Sequence, residues 1–285
     1  AEHNETELVF VKDVEFVDER GYIRKAIAIL KAVGNLRLVG ETGTGKTTLV
    51  HKLAEELNVP LFETVLTEDT TRWDLLACDV LKGGETKTRD GIVLKWLKNH
   101  GILYLDGFNY ARASILSLLE SLADFRGSVW IPELGKTFKR TEKHYLIISY
   151  NPAEKSGYSG TFLSNIATIR RFEGLIVDYL SPLRETKLVQ KYCGGNYEVS
   201  RRLVELANKT RELYRRGKLR TPLTTGNLIN YGKLYSEHNL SLEDILDIIL
   251  SLYPEEERET ILRLFEESAD IQTQIRQAKE ESQNQ

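Results

Sequence analysis

The chain has no methionine and only two cysteines among its 285 residues. For the missing methionine there is no physical account. Cys78 and Cys193 lack the clustered spacing of a zinc site or a disulfide framework, and an intracellular, reducing and so cytoplasmic location is the expectation. Basic residues are not in excess: 39 Lys and Arg stand against 42 Asp and Glu, for a net charge of −3. No overall electrostatic footprint of a nucleic-acid partner is therefore present. No apolar run approaches the roughly 18 residues that suggest a membrane span. The opening Ala1-Glu2-His3-Asn4-Glu5 is polar and acidic, unlike a signal peptide. Internal repeats and low-complexity linkers are absent as well, and His3, His51, His100, His144 and His238 show no ligand spacing.

What is present is the composition of a globular protein, with 41% hydrophobic and 28% charged residues, enough for a core domain plus a smaller one. Short apolar runs predict strands at Leu36–Val39, Leu61–Leu66, Ile102–Leu105, Tyr145–Ile148 and Leu175–Val177. Helical spacing separates them at Tyr22–Ala32, Lys46–Leu57, Ile92–Asn99 and Ser114–Asp124. Strands alternating with helices predict a parallel sheet covered on both faces, an α/β fold. After Tyr179 the pattern turns wholly helical, with segments at Leu183–Tyr192, Val199–Arg216, Thr225–Glu237, Leu242–Leu252 and Glu255–Ser268. The expected domains are therefore 1–180 and 181–285, with a frayed polar end from Ala278.

Gly40-Glu41-Thr42-Gly43-Thr44-Gly45-Lys46-Thr47 matches G-x-x-x-x-G-K-[ST] between a predicted strand and a predicted helix. Glycines let the backbone wrap a phosphate, and the helix N-terminus offers it N–H groups. Lys46 is expected to reach the β- and γ-phosphates of ATP, with Thr48 closing the cradle and the Thr47 hydroxyl on Mg²⁺. Ile102-Leu103-Tyr104-Leu105-Asp106 is an apolar strand ending in an aspartate, the Walker B form, and Asp106 is the second expected Mg²⁺ residue. The alternative for Asp106 is a turn-starting residue with no metal role. At the next position, where a carboxylate orients the attacking water in AAA+ proteins, stands Gly107. Tight binding with slow turnover follows, and Gly107→Glu is expected to raise the rate.

The ordered series of motifs resembles the MoxR-like AAA+ ATPases, in particular their CbbQ/NorQ branch. Leu105-Asp106-Gly107-Phe108-Asn109-Tyr110-Ala111 is similar to the family's L-D-E-I-N-R-A with its Glu replaced. Asp90-Gly91-Ile92 resembles the turn before the family's Walker B strand, and the stretch 128–139 resembles its inserted β-hairpin. Ser149-Tyr150-Asn151-Pro152 is similar to the strand ending in the polar sensor, here Asn151. Gly157-Tyr158-Ser159-Gly160 followed by Ala167 to Phe172 resembles the segment with the arginine finger, with Arg171 the positional match and Arg170 a competitor. Leu223-Thr224-Thr225-Gly226-Asn227-Leu228 resembles L-S-T-R-E-L, with Gly226 in place of the second sensor arginine. The resemblance covers roughly residues 20–240. It implies a three-layer αβα P-loop core on a five-stranded parallel sheet followed by a smaller all-α lid. It also implies a homo-hexameric ring using ATP and Mg²⁺, and a von Willebrand A-domain partner with which it activates a client metalloenzyme. Gly107 and Gly226 favour a second reading, a nucleotide-gated subunit that hydrolyses little.

Three further signals carry less. Asn208-Lys209-Thr210 has Arg211 where a guanine-reading motif needs Asp. The basic stretch Arg201–Arg220 reads as a solvated or intersubunit face. Trp73, Trp96 and Trp130 read as core or hairpin-packing aromatics, with Trp130 alternatively a client contact.

Overall fold

The computed structural model describes residues 7–152 and 166–283; the expected loop Gly157-Tyr158-Ser159-Gly160 lies outside them. Five short apolar strands form one all-parallel sheet: Asn35–Val39 (β1), Leu61–Val65 (β2), Gly101–Asp106 (β5), His144–Tyr150 (β8) and Glu173–Ile176 (β9). Their order across the sheet is β2-β5-β8-β1-β9. Successive side chains point to opposite faces, and here both faces are covered, which is why the central strands read as continuous apolar runs. On one face Leu36, Leu38, Ile102, Tyr104 and Ile147 pack with Ala26 and Leu30 of Tyr22–Ala32 (α1) and Leu49 and Leu53 of Lys46–Leu57 (α2). On the other, Leu103, Leu105, Leu146 and Ile148 meet Trp96 of Ile92–Lys98 (α4) and Ile115 and Leu119 of Ala113–Leu122 (α5). The three-layer α/β core and its five-stranded parallel sheet stand as the sequence predicts.

Two antiparallel hairpins decorate this core. Ser128–Ile131 (β6) pairs with Lys136–Lys139 (β7). The second, Ala77–Lys82 (β3) with Glu85–Asp90 (β4), follows the short helix Arg72–Leu76 (α3) and has no counterpart in the predicted strands. Glu85-Thr86-Lys87-Thr88-Arg89-Asp90 has no apolar side to alternate with a polar one, so period-2 patterning is silent there. Trp96 is fully buried, but Trp73 and Trp130 are 40% and 54% exposed, which corrects the expectation of packed aromatics for those two.

The chain divides into two compact units, Ala1–Asp178 and Tyr179–Gln285. A four-residue helix in the first, Ile166–Ile169 (α6), precedes β9. The second holds only helices among its described residues: Pro182–Tyr192 (α7), Tyr197–Arg215 (α8), Thr225–Glu237 (α9), Leu242–Leu250 (α10) and Glu255–Gln283 (α11). The last runs through the end expected to fray. Side-chain caps start three of them: Asn196 for α8, Thr224 with Asn227 for α9, and Ser241 with Asp244 for α10. The basic stretch is not uniformly solvated. Arg211 is 1% exposed and forms a bidentate pair with the fully buried Glu185 at 2.8 and 3.0 Å. It also donates to the Leu223 carbonyl and lies 3.6 Å from the centre of the Tyr179 ring. The mid-helix charge that spoils the guanine motif is thus a core ion pair.

Candidate nucleotide-binding site

β1 ends at Val39, and the chain turns through Gly40–Gly45 into α2, whose first residue is Lys46. The turn is held tightly. Gly40 N–H donates to the Tyr150 carbonyl at 3.2 Å, and a Cβ on Gly40 would stand 2.2 Å from the Val177 carbonyl oxygen, so no other residue fits. Thr44 Oγ1 donates to the Glu41 carbonyl at 2.9 Å. Lys46 is buried, and its ammonium donates back to the Gly40 and Glu41 carbonyls at 2.6 and 2.8 Å. Thr42, Gly43, Thr47 and Thr48 are exposed along the open side of the loop and the first turn of α2. The result is a cation folded into a helix-opening loop, the local chemistry of an anion site.

β8 runs between β1 and β5. Open parallel sheets bind ligands at the carboxyl ends of their strands, and three of the candidate elements meet there. Asp106 is the last residue of β5, paired in register with Ser149 of β8. Asn151 follows β8 and is buried, next to the Tyr150 whose carbonyl anchors the loop. Asp106 and Thr47 are also joined. Thr47 Oγ1 lies 3.2 Å from the Tyr104 hydroxyl, that hydroxyl 2.8 Å from Ser149 Oγ, and Ser149 Oγ donates to Asp106 Oδ1 at 2.6 Å. Burial, and after it the Asp106 charge, push the Tyr104 phenol up to about 12. Tyr104 and Ser149 are the residues that motif reading passes over. Their one signal is a hydroxyl set within the apolar runs 102–105 and 146–149.

Arg171 is not part of this cluster. Its carbonyl accepts from Asn35 Nδ2 at 3.0 Å, and its guanidinium donates to the Ala167 carbonyl at 3.0 Å. Asn35 begins β1 and Val39 ends it, so Arg171 sits at the amino edge of the sheet, about 13 Å of strand away from its own loop. Arg170 beside it is exposed.

Gly107 adopts φ +80, in the left-handed region. Its N–H donates to the Ser149 carbonyl at 3.1 Å and its carbonyl accepts from Tyr110 N–H at 2.9 Å, turning the chain sharply after Asp106. Glu133, the hairpin carboxylate, is occupied by the Arg72 guanidinium. Gly226 differs from Gly107: a Cβ there meets nothing nearer than Thr224 Oγ1 at 3.7 Å.

Comparison with known proteins agrees with this geometry. Residues 35–172 match the family model of the AAA domain, dynein-related subfamily. NorQ of Paracoccus denitrificans is 33% identical over 177 residues, covering 62% of this chain and 64% of NorQ. The denitrification regulatory protein NirQ of Pseudomonas aeruginosa is 30% identical over 176 residues, covering 62% of this chain and 66% of NirQ. The chain thus spans a little under two thirds of each of these relatives. A solved structure of NtrX from Brucella abortus, in complex with ADP, superposes with a TM-score of 0.51 at 12% identity, over 80% of this chain and 51% of that one. At that identity it shows a common fold. The sheet order, the loop between β1 and α2, and these matches together support the resemblance to MoxR-like AAA+ ATPases of the NorQ/CbbQ type.

Proposed function

We propose that the chain is an ATP-binding AAA+ ATPase that works as a ring-forming remodeller of a partner protein. The observation that carries the reading is the convergence of the Lys46 loop, Asp106 and Asn151 at the carboxyl edge of one sheet. ADP in the similarly folded NtrX structure supports a nucleotide as ligand. In this reading Gly40, Glu41, Thr42, Gly43, Thr44, Gly45 and Thr48 wrap the phosphates, and Lys46 exchanges its two loop carbonyls for phosphate oxygens. Thr47 and Asp106 are hard oxygen donors joined in one hydrogen-bonded chain, which suits Mg²⁺. That ion takes one or two protein oxygens and completes its shell with phosphate and water; when bound it neutralises charge on the transferring phosphoryl group. Asn151 orients the attacking water. Arg171, remote from its own loop, acts on the nucleotide of a neighbouring subunit, which calls for a homo-oligomer, a hexamer by family precedent.

NirQ is by name a denitrification regulatory protein, and the proposed client is a metalloenzyme activated together with a von Willebrand A-domain protein. A cytoplasmic location and the absence of a nucleic-acid partner belong to the same reading. The alternative, a subunit that binds ATP but hydrolyses little, is favoured by one observation: the position of the missing carboxylate is a left-handed glycine. Steady-state phosphate release at saturating Mg-ATP separates the two. Slow but Lys46-dependent release supports a weak ATPase. Release indistinguishable from a Lys46→Ala blank supports the structural subunit.

A further inference from the structure

We propose that Tyr104 and Ser149 are positioning residues that set the direction of the Thr47 hydroxyl proton and so prepare the cation side of the nucleotide site. The inference rests on the reading of Thr47 and Asp106 as Mg²⁺ residues.

It follows from proton accounting. A carboxylate has no proton to give, so Asp106 Oδ1 only accepts, and Ser149 Oγ must donate to it, at 2.6 Å. A serine hydroxyl has one proton. With that proton committed, Ser149 can only accept from Tyr104, 2.8 Å away. Tyr104 in turn has one proton, now spent on Ser149, so it can only accept from Thr47, 3.2 Å away. The three ambiguous hydroxyls therefore acquire one common direction: Thr47 to Tyr104 to Ser149 to Asp106. Thr47 is left with its proton turned inward and its lone pairs outward, as a metal-ligating hydroxyl needs. Asp106 keeps its second oxygen for the cation's shell.

A satisfied core tyrosine is the plainer explanation, since buried hydroxyls find partners. Two observations go beyond it. Tyr104 is 1% exposed in a cluster with Leu36, Leu38, Ile102 and Ile147, and Ser149 is fully buried between Leu38 and Asp106 in the register, so Phe and Ala would pack there without desolvating a hydroxyl. And the partners found are the two side chains, from α2 and β5, that the site needs to hold together. The register puts Tyr104 and Asp106 on one face of β5 with Ser149 beside Asp106 on β8, so the relay is built into the sheet rather than into a loop.

The test is the gain in ATP affinity that Mg²⁺ confers, measured by calorimetry on the full chain in excess Mg²⁺ and again in EDTA. Wild type, Tyr104→Phe, Ser149→Ala, the double variant and Thr47→Ala are compared, each first checked by thermal unfolding. The expected result is a loss of the Mg²⁺ gain on the order of tenfold in Tyr104→Phe, the scale of one hydrogen bond to a charged group, with EDTA affinity within about twofold of wild type. Ser149→Ala should lose as much, and the double variant no more than either single, because one chain is broken. Should Tyr104→Phe fail to fold, Ser149→Ala alone carries the same comparison. A full Mg²⁺ gain in Tyr104→Phe or Ser149→Ala, alongside its loss in Thr47→Ala, overturns the relay and leaves the site intact. A full gain in Thr47→Ala overturns the site reading, and the relay with it.

Discussion

Replacing Gly107 by glutamate restores the carboxylate of the family pattern, and sequence reasoning expects turnover to rise. The structure sets a penalty against that gain. Gly107 lies at φ +80, and a Cβ there would stand 2.9 Å from the Leu66 carbonyl oxygen and 3.3 Å from Tyr110 Cδ2. Left-handed backbone destabilises an ordinary L-residue by about 1–2 kcal/mol, and the crowded carbonyl adds about 1 kcal/mol of overpacking. The total, about 2–3 kcal/mol, lowers the melting temperature by about 4–12 °C for a unit of this size. Thermal unfolding of the alanine, asparagine and glutamate variants tests it. Ala and Glu should fall together by this amount, and Asn, which tolerates the left-handed region, by less. If Gly107→Glu melts with wild type and also raises phosphate release, the turn accepts a side chain and the reasoning fails.

Three other outcomes follow from the same geometry. Glu185→Gln or Arg211→Met leaves one buried charge unpaired and should destabilise the helical unit by about 3–5 kcal/mol in chemical denaturation; a loss under 1 kcal/mol contradicts a buried ion pair. Burial against Trp96, and then the Arg140 charge, hold the His144 imidazole below its ordinary range. Because the unfolded ring takes up a proton near pH 6.5 and the folded one only at lower pH, stability should fall as the pH drops below about 6.5, and His144→Asn should flatten that slope. Light scattering should show a ring with a non-hydrolysable ATP analogue and a weakened ring in Arg171→Ala; a monomer in both conditions at micromolar protein removes the hexamer.

Much of the fold was legible because parallel strands buried on both faces write themselves as apolar runs, and α1, α2 and α9 begin and end as the helical spacing predicts. The β3–β4 hairpin was not, since Glu85–Asp90 carries no apolar residue to alternate with its polar ones, and only Gly83-Gly84 between the strands hinted at a turn. The loop at Lys46 was legible from spacing alone. The left-handed turn at Gly107 was not: a glycine in a motif reads as a missing side chain, whereas its backbone angle shows a position that disfavours one. The Tyr104–Ser149 chain was hidden for a similar reason, because strand register, not sequence distance, brings residues 104 and 149 together. Arg211 looked like one more surface charge until Glu185, 26 residues away, appeared beside it.

The central claim, that the loop opening α2 holds a nucleotide through Lys46, is met most directly by calorimetric titration of Mg-ATP into wild type and a folded Lys46→Ala variant. Lys46 supplies the main cationic contact to the phosphates, so the account predicts saturable binding by wild type and none measurable in the variant. Near-normal affinity in Lys46→Ala would contradict it.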